Sequence, residues 1–150
     1  MFNALMIFIL VLLDQGSKYL ANVTLKGQSD IVLVKGLFSL TYLENRGAAF
    51  GMFQNNKFIL VGLTSLVIIG LIIFLYKEKR LTKTLKISII LIIGGAIGNL
   101  IDRVFLGYVI DYFHFYITDI FDWPVFNIAD ICVVIGTGLM AISILFAKDE

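Results

Sequence analysis

The chain is poor in charge, cysteine, histidine and proline. Charged residues make up 15% of its 150 positions, against about 25% in ordinary globular proteins. A disordered chain needs high charge and low hydrophobicity, so that class is excluded. The net charge is +1, which leaves no basic field for nucleic acid. Cys132 is the only cysteine, so neither an intramolecular disulfide nor a cysteine-built zinc site can form. His114 is the only histidine, so paired-histidine metal motifs are absent, and no metal or cofactor is expected. Pro124 is the only proline. No internal repeat, low-complexity tract or linker interrupts the sequence.

What is present in excess is apolar surface. Hydrophobic residues reach 59% and the mean hydropathy is +0.96. A globule of this length has too little interior to hide so much of it. The composition points to one integral membrane domain covering residues 1–150. A spanning helix needs about 20 largely apolar residues, and four stretches qualify: about 4–21, 58–76, 85–105 and 128–147. The first is expected to be a retained helix rather than a cleaved leader. No basic segment precedes it, and Asp14-Gln15-Gly16-Ser17-Lys18 follows its apolar start instead of a small-residue cleavage site.

Orientation follows from the basic residues in short connections. Five of the ten residues from Lys77 to Lys86 are Lys or Arg, whereas Val104 to Asn127 contains none. The first connection is therefore expected in the cytoplasm, together with both termini. Asp14 and Lys18, then Asn99, Asp102 and Arg103, then Asn127 and Asp130 all collect near the outer ends of their helices. Asn45 and Arg46 lie in the outer connection before the second helix.

Ionisable groups within spans are costly and usually face a bundle interior or a wet cavity. Asp14 and Lys18 are four residues apart, which suits an ion pair on one helix face. Asn99, Asp102 and Arg103 also share a face, and Asn127 is placed to cap the fourth helix. Two readings remain open for these groups: structural contacts between helices, or parts of one site. Asp130 has no basic residue after it until Lys148, and Asp111 stands among apolar and aromatic neighbours. Two carboxylates close together in a poorly solvated place share a proton, and such a pair can activate water and protonate a carbonyl oxygen. Cys132, on the helix beyond Asp130, reads as packing, and His114 as an interfacial residue.

Five blocks carry a family resemblance: Asp14-Gln15-Gly16-Ser17-Lys18, Glu44-Asn45-Arg46-Gly47-Ala48-Ala49-Phe50-Gly51, Gly98-Asn99-Leu100-Ile101-Asp102-Arg103, Val109-Ile110-Asp111-Tyr112 and Phe126-Asn127-Ile128-Ala129-Asp130. In that order, on four predicted spans, they closely resemble lipoprotein signal peptidase (signal peptidase II), a family of bacterial membrane aspartyl proteases. The resemblance implies a catalytic pair of Asp111 and Asp130. It implies supporting or substrate-binding roles for Asp14, Lys18, Asn45, Gly47, Asn99, Asp102, Arg103, Asn127 and Ala129. Tyr112 stands where Phe is common in the family, and Arg46 falls at a variable position.

The implied substrate is a diacylglyceryl-modified prolipoprotein, cut on the amino side of its lipidated cysteine. The implied setting is the bacterial cytoplasmic membrane, with the site near its outer face. Membrane lipids and the cyclic peptide globomycin are the implied binders, and a monomer is expected. The fold class is an all-α membrane protein with a small extracytoplasmic β-sheet between helices one and two. Ile31–Val34 and Leu37–Leu43 supply the strands and Lys35-Gly36 the turn. The loop Asn45 to Gly51 is expected to close over the site. The aromatics Tyr112, Phe113, Phe115, Tyr116, Phe121 and Trp123 fit an interface belt, and a surface helix is considered between helices three and four. A small transporter would instead spread its charges through the bilayer depth. A membrane scaffold would tolerate neutralisation of Asp111 or Asp130.

Overall fold

The computed structural model describes residues 2–47 and 56–146. Four helices, α1 (Phe2–Thr24), α2 (Lys57–Lys77), α3 (Lys83–Phe105) and α4 (Ile128–Leu145), are each long and apolar enough to cross a bilayer. They match the predicted spans to within a few residues. The last residue predicted for the fourth span, 147, lies outside the described residues, as do residues 48–51 of the predicted closing loop. A helix satisfies its own backbone hydrogen bonds, which is why these apolar runs adopt it in lipid.

The sheet is larger than expected. Its strands are β1 (Ile31–Val34), β2 (Phe38–Asn45), β3 (Val109–Ile117) and β4 (Phe121–Asp122), in the order β1-β2-β3-β4 and antiparallel throughout. The first two strands and their turn lie where the sequence placed them, with Gly36 at φ +78° in the turn. The other two come from the connection between α3 and α4, so the surface helix considered there is replaced by strands. The cause is non-local. β3 pairs with β2 from Phe38↔Phe115 to Asn45↔Val109, and a periodicity read within 109–117 cannot show that partner. The aromatic belt is corrected at one point as well. Tyr112 is buried against Ala21, Leu25 and Ile110, while Phe121 and Trp123 remain exposed.

α3 is the central helix. It packs on α1, α2 and α4, and buries Ile89, Ile90 and Ile93 against Ile68 and Leu75 of α2. Small residues set the close approaches. A Cβ on Gly94 would come within 2.8 Å of Leu10, and one on Gly136 within 2.8 Å of the Ser88 carbonyl oxygen. Such residues allow helices in lipid to gain close van der Waals packing. α2 and α4 both lean on α3, and a cavity of about 1310 Å³ lies between them.

Candidate active site

The end of α3 folds the chain back toward the site. The backbone N–H groups of Leu106 and Gly107 both donate to the Asp102 carbonyl, at 2.7 and 3.2 Å, and Gly107 takes φ +86°. The Asp102 side chain then accepts the Ile110 N–H at 3.1 Å through Oδ2. This fixes the residue before Asp111. On the other side of β3, Phe126 bridges to Phe113, with N–H···O distances of 2.8 and 2.9 Å. That bridge brings Asn127 beside Asp111.

Asn127 joins the two carboxylates. Its Nδ2 donates to Asp111 Oδ1 at 2.6 Å. Its Oδ1 accepts the Asp130 N–H at 2.9 Å, and its own N–H donates to Asp130 Oδ2 at 3.1 Å. The last two bonds are a reciprocal cap, so the predicted N-cap of α4 is present. Asn45 Nδ2 donates to Asp111 Oδ2 at 2.9 Å, and Asn99 Nδ2 donates to Asp130 Oδ1 at 2.8 Å. A bulge in β2 between Leu40 and Leu43 precedes Asn45. Bulges commonly re-aim side chains beside sites. Asp111 has no exposed surface, and Asp130 is half-buried on the cavity wall. Burial, reinforced by the charge of Asp130, pushes the Asp111 carboxyl up to about 7 against the opposing donors Asn45 and Asn127.

Behind this pair lies an ionic core. Lys18 is 2% exposed, and its ammonium meets Asp14 Oδ2 at 2.9 Å, Asp102 Oδ2 at 3.0 Å and Asn99 Oδ1 at 2.9 Å. Those contacts match the three donors of an ammonium group. The predicted Asp14–Lys18 pair is therefore present and widened to include Asp102. Asp14 Oδ1 also accepts the Ala129 N–H at 3.0 Å, which ties α1 to the first turn of α4. Arg103 Nη2 donates to the Gly47 carbonyl at 3.1 Å, and its Nε is buried without a hydrogen-bond partner among the described residues. Gly47 N–H donates in turn to Asn45 Oδ1 at 3.0 Å. All eleven residues singled out in the sequence thus fall within one connected polar region.

Sequence reasoning passed over three members of that region. Gln15 Nε2 donates to Asp102 Oδ1 at 3.0 Å and to the Gly98 carbonyl at 3.1 Å. Ser17 and Tyr112 hydrogen-bond through their hydroxyls at 2.7 Å. Gln15 and Ser17 sit inside the Asp14–Lys18 block, so their position was the available signal. His114, read as interfacial, pairs with Asp122 at 2.6 Å at the rim of the cavity. Arg46 pairs with Glu44 at 3.0 Å and lies over the Tyr108 ring.

The cavity has two kinds of wall. Asn45, Asn99, Arg103 and Asp130 line its polar end. Leu63 and Val67 of α2, Ile92 and Ala96 of α3, and Val134 of α4 line an apolar extension. From Arg103 to Ile92 is eleven helical residues, or roughly 16 Å of depth at 1.5 Å per residue. The arrangement presents the Asp130 carboxylate, the Asn45 and Asn99 amides and a guanidinium at the head of an apolar groove, with the buried Asp111 carboxylate bonded to Asn45 and Asn127 next to it.

The family model described as signal peptidase (SPase) II matches residues 6–146. The lipoprotein signal peptidase of Clostridium acetobutylicum is 45% identical over 140 residues, covering 93% of this chain and 91% of its own length. That of Clostridioides difficile is 46% identical over 153 residues, covering 100% and 99%. Two solved structures described as a bacterial membrane enzyme are also similar. One has a TM-score of 0.88 at 29% identity, covering 99% of this chain and 92% of its own. The other has a TM-score of 0.83 at 30% identity, covering 97% and 94%.

Proposed function

Because the chain belongs to the signal peptidase II family, we propose that it removes signal peptides from diacylglyceryl-modified prolipoproteins. Asp111 and Asp130 are the catalytic pair, and a water molecule is the nucleophile. The observation that carries this reading is Asn127, whose side chain donates to the Asp111 carboxylate and whose backbone N–H donates to the Asp130 carboxylate, beside the apolar groove.

The chemistry runs as general acid–base hydrolysis. Asp130, on the cavity wall, takes a proton from water as its oxygen attacks the scissile carbonyl carbon. Asp111, held protonated by burial, donates to the carbonyl oxygen. The tetrahedral intermediate then loses its C–N bond. The proton on Asp130 passes to the departing amine of the lipidated cysteine, and Asp111 recovers its proton from the intermediate's hydroxyl. Asn45, Asn99 and Asn127 orient the carboxylates. The triad of Asp14, Lys18 and Asp102 holds α1, α3 and the start of β3 in register. The apolar groove accepts the signal helix and acyl chains.

The basic connection from Lys77 to Lys86 supports a cytoplasmic location for the α2–α3 turn and both termini. The site then lies near the outer face of the bacterial cytoplasmic membrane. A single domain acting as a monomer suffices, since all the named groups come from one chain. Globomycin is expected to bind in the same cavity.

The test is cleavage of a diacylglyceryl-modified prolipoprotein by purified protein in detergent. Wild type is compared with Asp111→Asn and Asp130→Asn, each shown to be folded by thermal unfolding. Loss of roughly 10²–10⁴-fold in either variant is expected. Near-wild-type cleavage by one of them would overturn the pair, and no cleavage by folded wild type would overturn the function.

A further inference from the structure

Residue 14 reaches both carboxylate-bearing segments, by two different routes. Its side chain accepts the N–H of Ala129, the residue before Asp130. Its backbone carbonyl accepts the Ser17 hydroxyl at 2.7 Å, and the Ser17 oxygen accepts the hydroxyl of Tyr112, the residue after Asp111, at 2.7 Å. The Tyr112 ring is 5% exposed, lodged against Ala21, Leu25 and Ile110. A buried phenol costs free energy unless its hydroxyl is bonded, and Ser17 supplies that bond. The backbone of Ile128, the first residue of α4, also faces the hydroxyl, while the contact of the ring with Ala21 of α1 is apolar and has no directional preference.

We infer that the Tyr112 hydroxyl and Ser17 act as positioning residues, tying the strand that carries Asp111 to the turn of α1 that also holds the start of α4. Neither group touches the reacting atoms. They set the spacing of Asp111 against Asp130 through the backbone of β3. A phenylalanine at this position would fill the same pocket but form no such tether. The hydroxyl thus adds a directional bond to the packing that the ring alone supplies. The inference rests on the proposed function, since it concerns the geometry of that reaction.

The experiment is a double-substitution cycle of Tyr112→Phe and Ser17→Ala, read as kcat and KM on a diacylglyceryl-modified prolipoprotein across pH. Tyr112→Phe keeps the ring, so thermal unfolding in detergent should show a folded protein. Losing the tether should lower kcat about three- to tenfold, the scale of one hydrogen bond, with KM little changed. Ser17→Ala should do the same, and the double variant should be no worse than either single one. The basic limb of the pH profile should move to lower pH as Asp111 relaxes away from Asp130. A purely structural role would lower stability without moving that limb. Wild-type kcat and pH profile in both single variants, or losses that multiply in the double variant, would overturn the tether. An inactive, folded wild type would overturn the functional reading instead, and the inference with it.

Discussion

Asn127 Nδ2 donates to Asp111 Oδ1 at 2.6 Å while the same side chain caps the helix that carries Asp130. One residue therefore serves two ends of the proposed chemistry. Asn127→Ala removes the cap, worth about 1 kcal/mol, and leaves buried partners unpaired at about 1–3 kcal/mol more. Asn127→Asp keeps an oxygen for the cap but loses the donor to Asp111 and sets a carboxylate against it. Both variants should cut prolipoprotein at least tenfold more slowly. Cleavage rates and thermal unfolding measured together check this; full activity in Asn127→Ala would show that the bridge is dispensable.

Lys18 is satisfied by Asp14, Asp102 and Asn99. Lys18→Met leaves two buried carboxylates without their counter-charge, a loss of about 3–5 kcal/mol when one partner of a buried pair is removed. Lys18→Arg is not conservative here, because a planar fork does not fit three acceptors arranged around one nitrogen. Both variants should unfold at lower temperature in detergent. Combining Lys18→Met with Asp14→Asn and Asp102→Asn should recover part of the loss. A Lys18→Met protein as stable as wild type would show that the triad is not coupled to the fold.

The sequence carried the four spans because an uninterrupted apolar run in lipid has one good backbone solution. It also carried the grouping of the polar residues toward one end of the helices, since buried charge is costly enough to be placed deliberately. Asp14–Lys18 and the Asn127 cap were legible because both are local, at separations of three or four residues. β3 was not legible. Its side chains, Val109 to Ile117, mix apolar and aromatic residues in a way that also suits an interface. What makes it a strand is pairing with β2, some seventy residues earlier in the chain. Gln15 was missed because a neutral amide among charged neighbours carries no cost signal. The Tyr112–Ser17 bond, across 95 positions, has no local trace.

The glycines of α2 and α3 should separate cleanly. A Cβ on Gly98 would collide with Asp14 Oδ2 and lie 2.9 Å from Asp14 Cγ. Gly98→Ala must therefore move the carboxylate that pairs with Lys18 and accepts from Ala129, at an overpacking cost of about 1–3 kcal/mol. Gly70 of α2 has nothing within 4 Å of its added Cβ, so Gly70→Ala should leave stability unchanged or slightly raised. Unfolding midpoints and cleavage rates of the two variants check the contrast. Equal behaviour would mean that α1 and α3 approach less closely than the structure shows.

Asp111 also makes stability depend on pH, with a definite sign. Its folded pKa is about 7, raised from 3.8 chiefly by burial. Below the lower value both folded and unfolded chains hold the proton, so the group contributes no pH slope. Between about 4 and 7 the unfolded chain releases it while the folded chain keeps it. The unfolded state then binds fewer protons, so stability falls as pH rises through that window and levels off above it. Activity should follow a related limb. Asp111 must be protonated to donate, so kcat should decline as pH rises past about 7. Asp111→Asn cannot titrate, and its unfolding midpoint should lose this component of the slope between pH 4 and 7. Midpoints of wild type and variant across pH 4–8, in one detergent, decide the matter. Parallel curves would place the Asp111 carboxyl at an ordinary value and remove it as the proton donor.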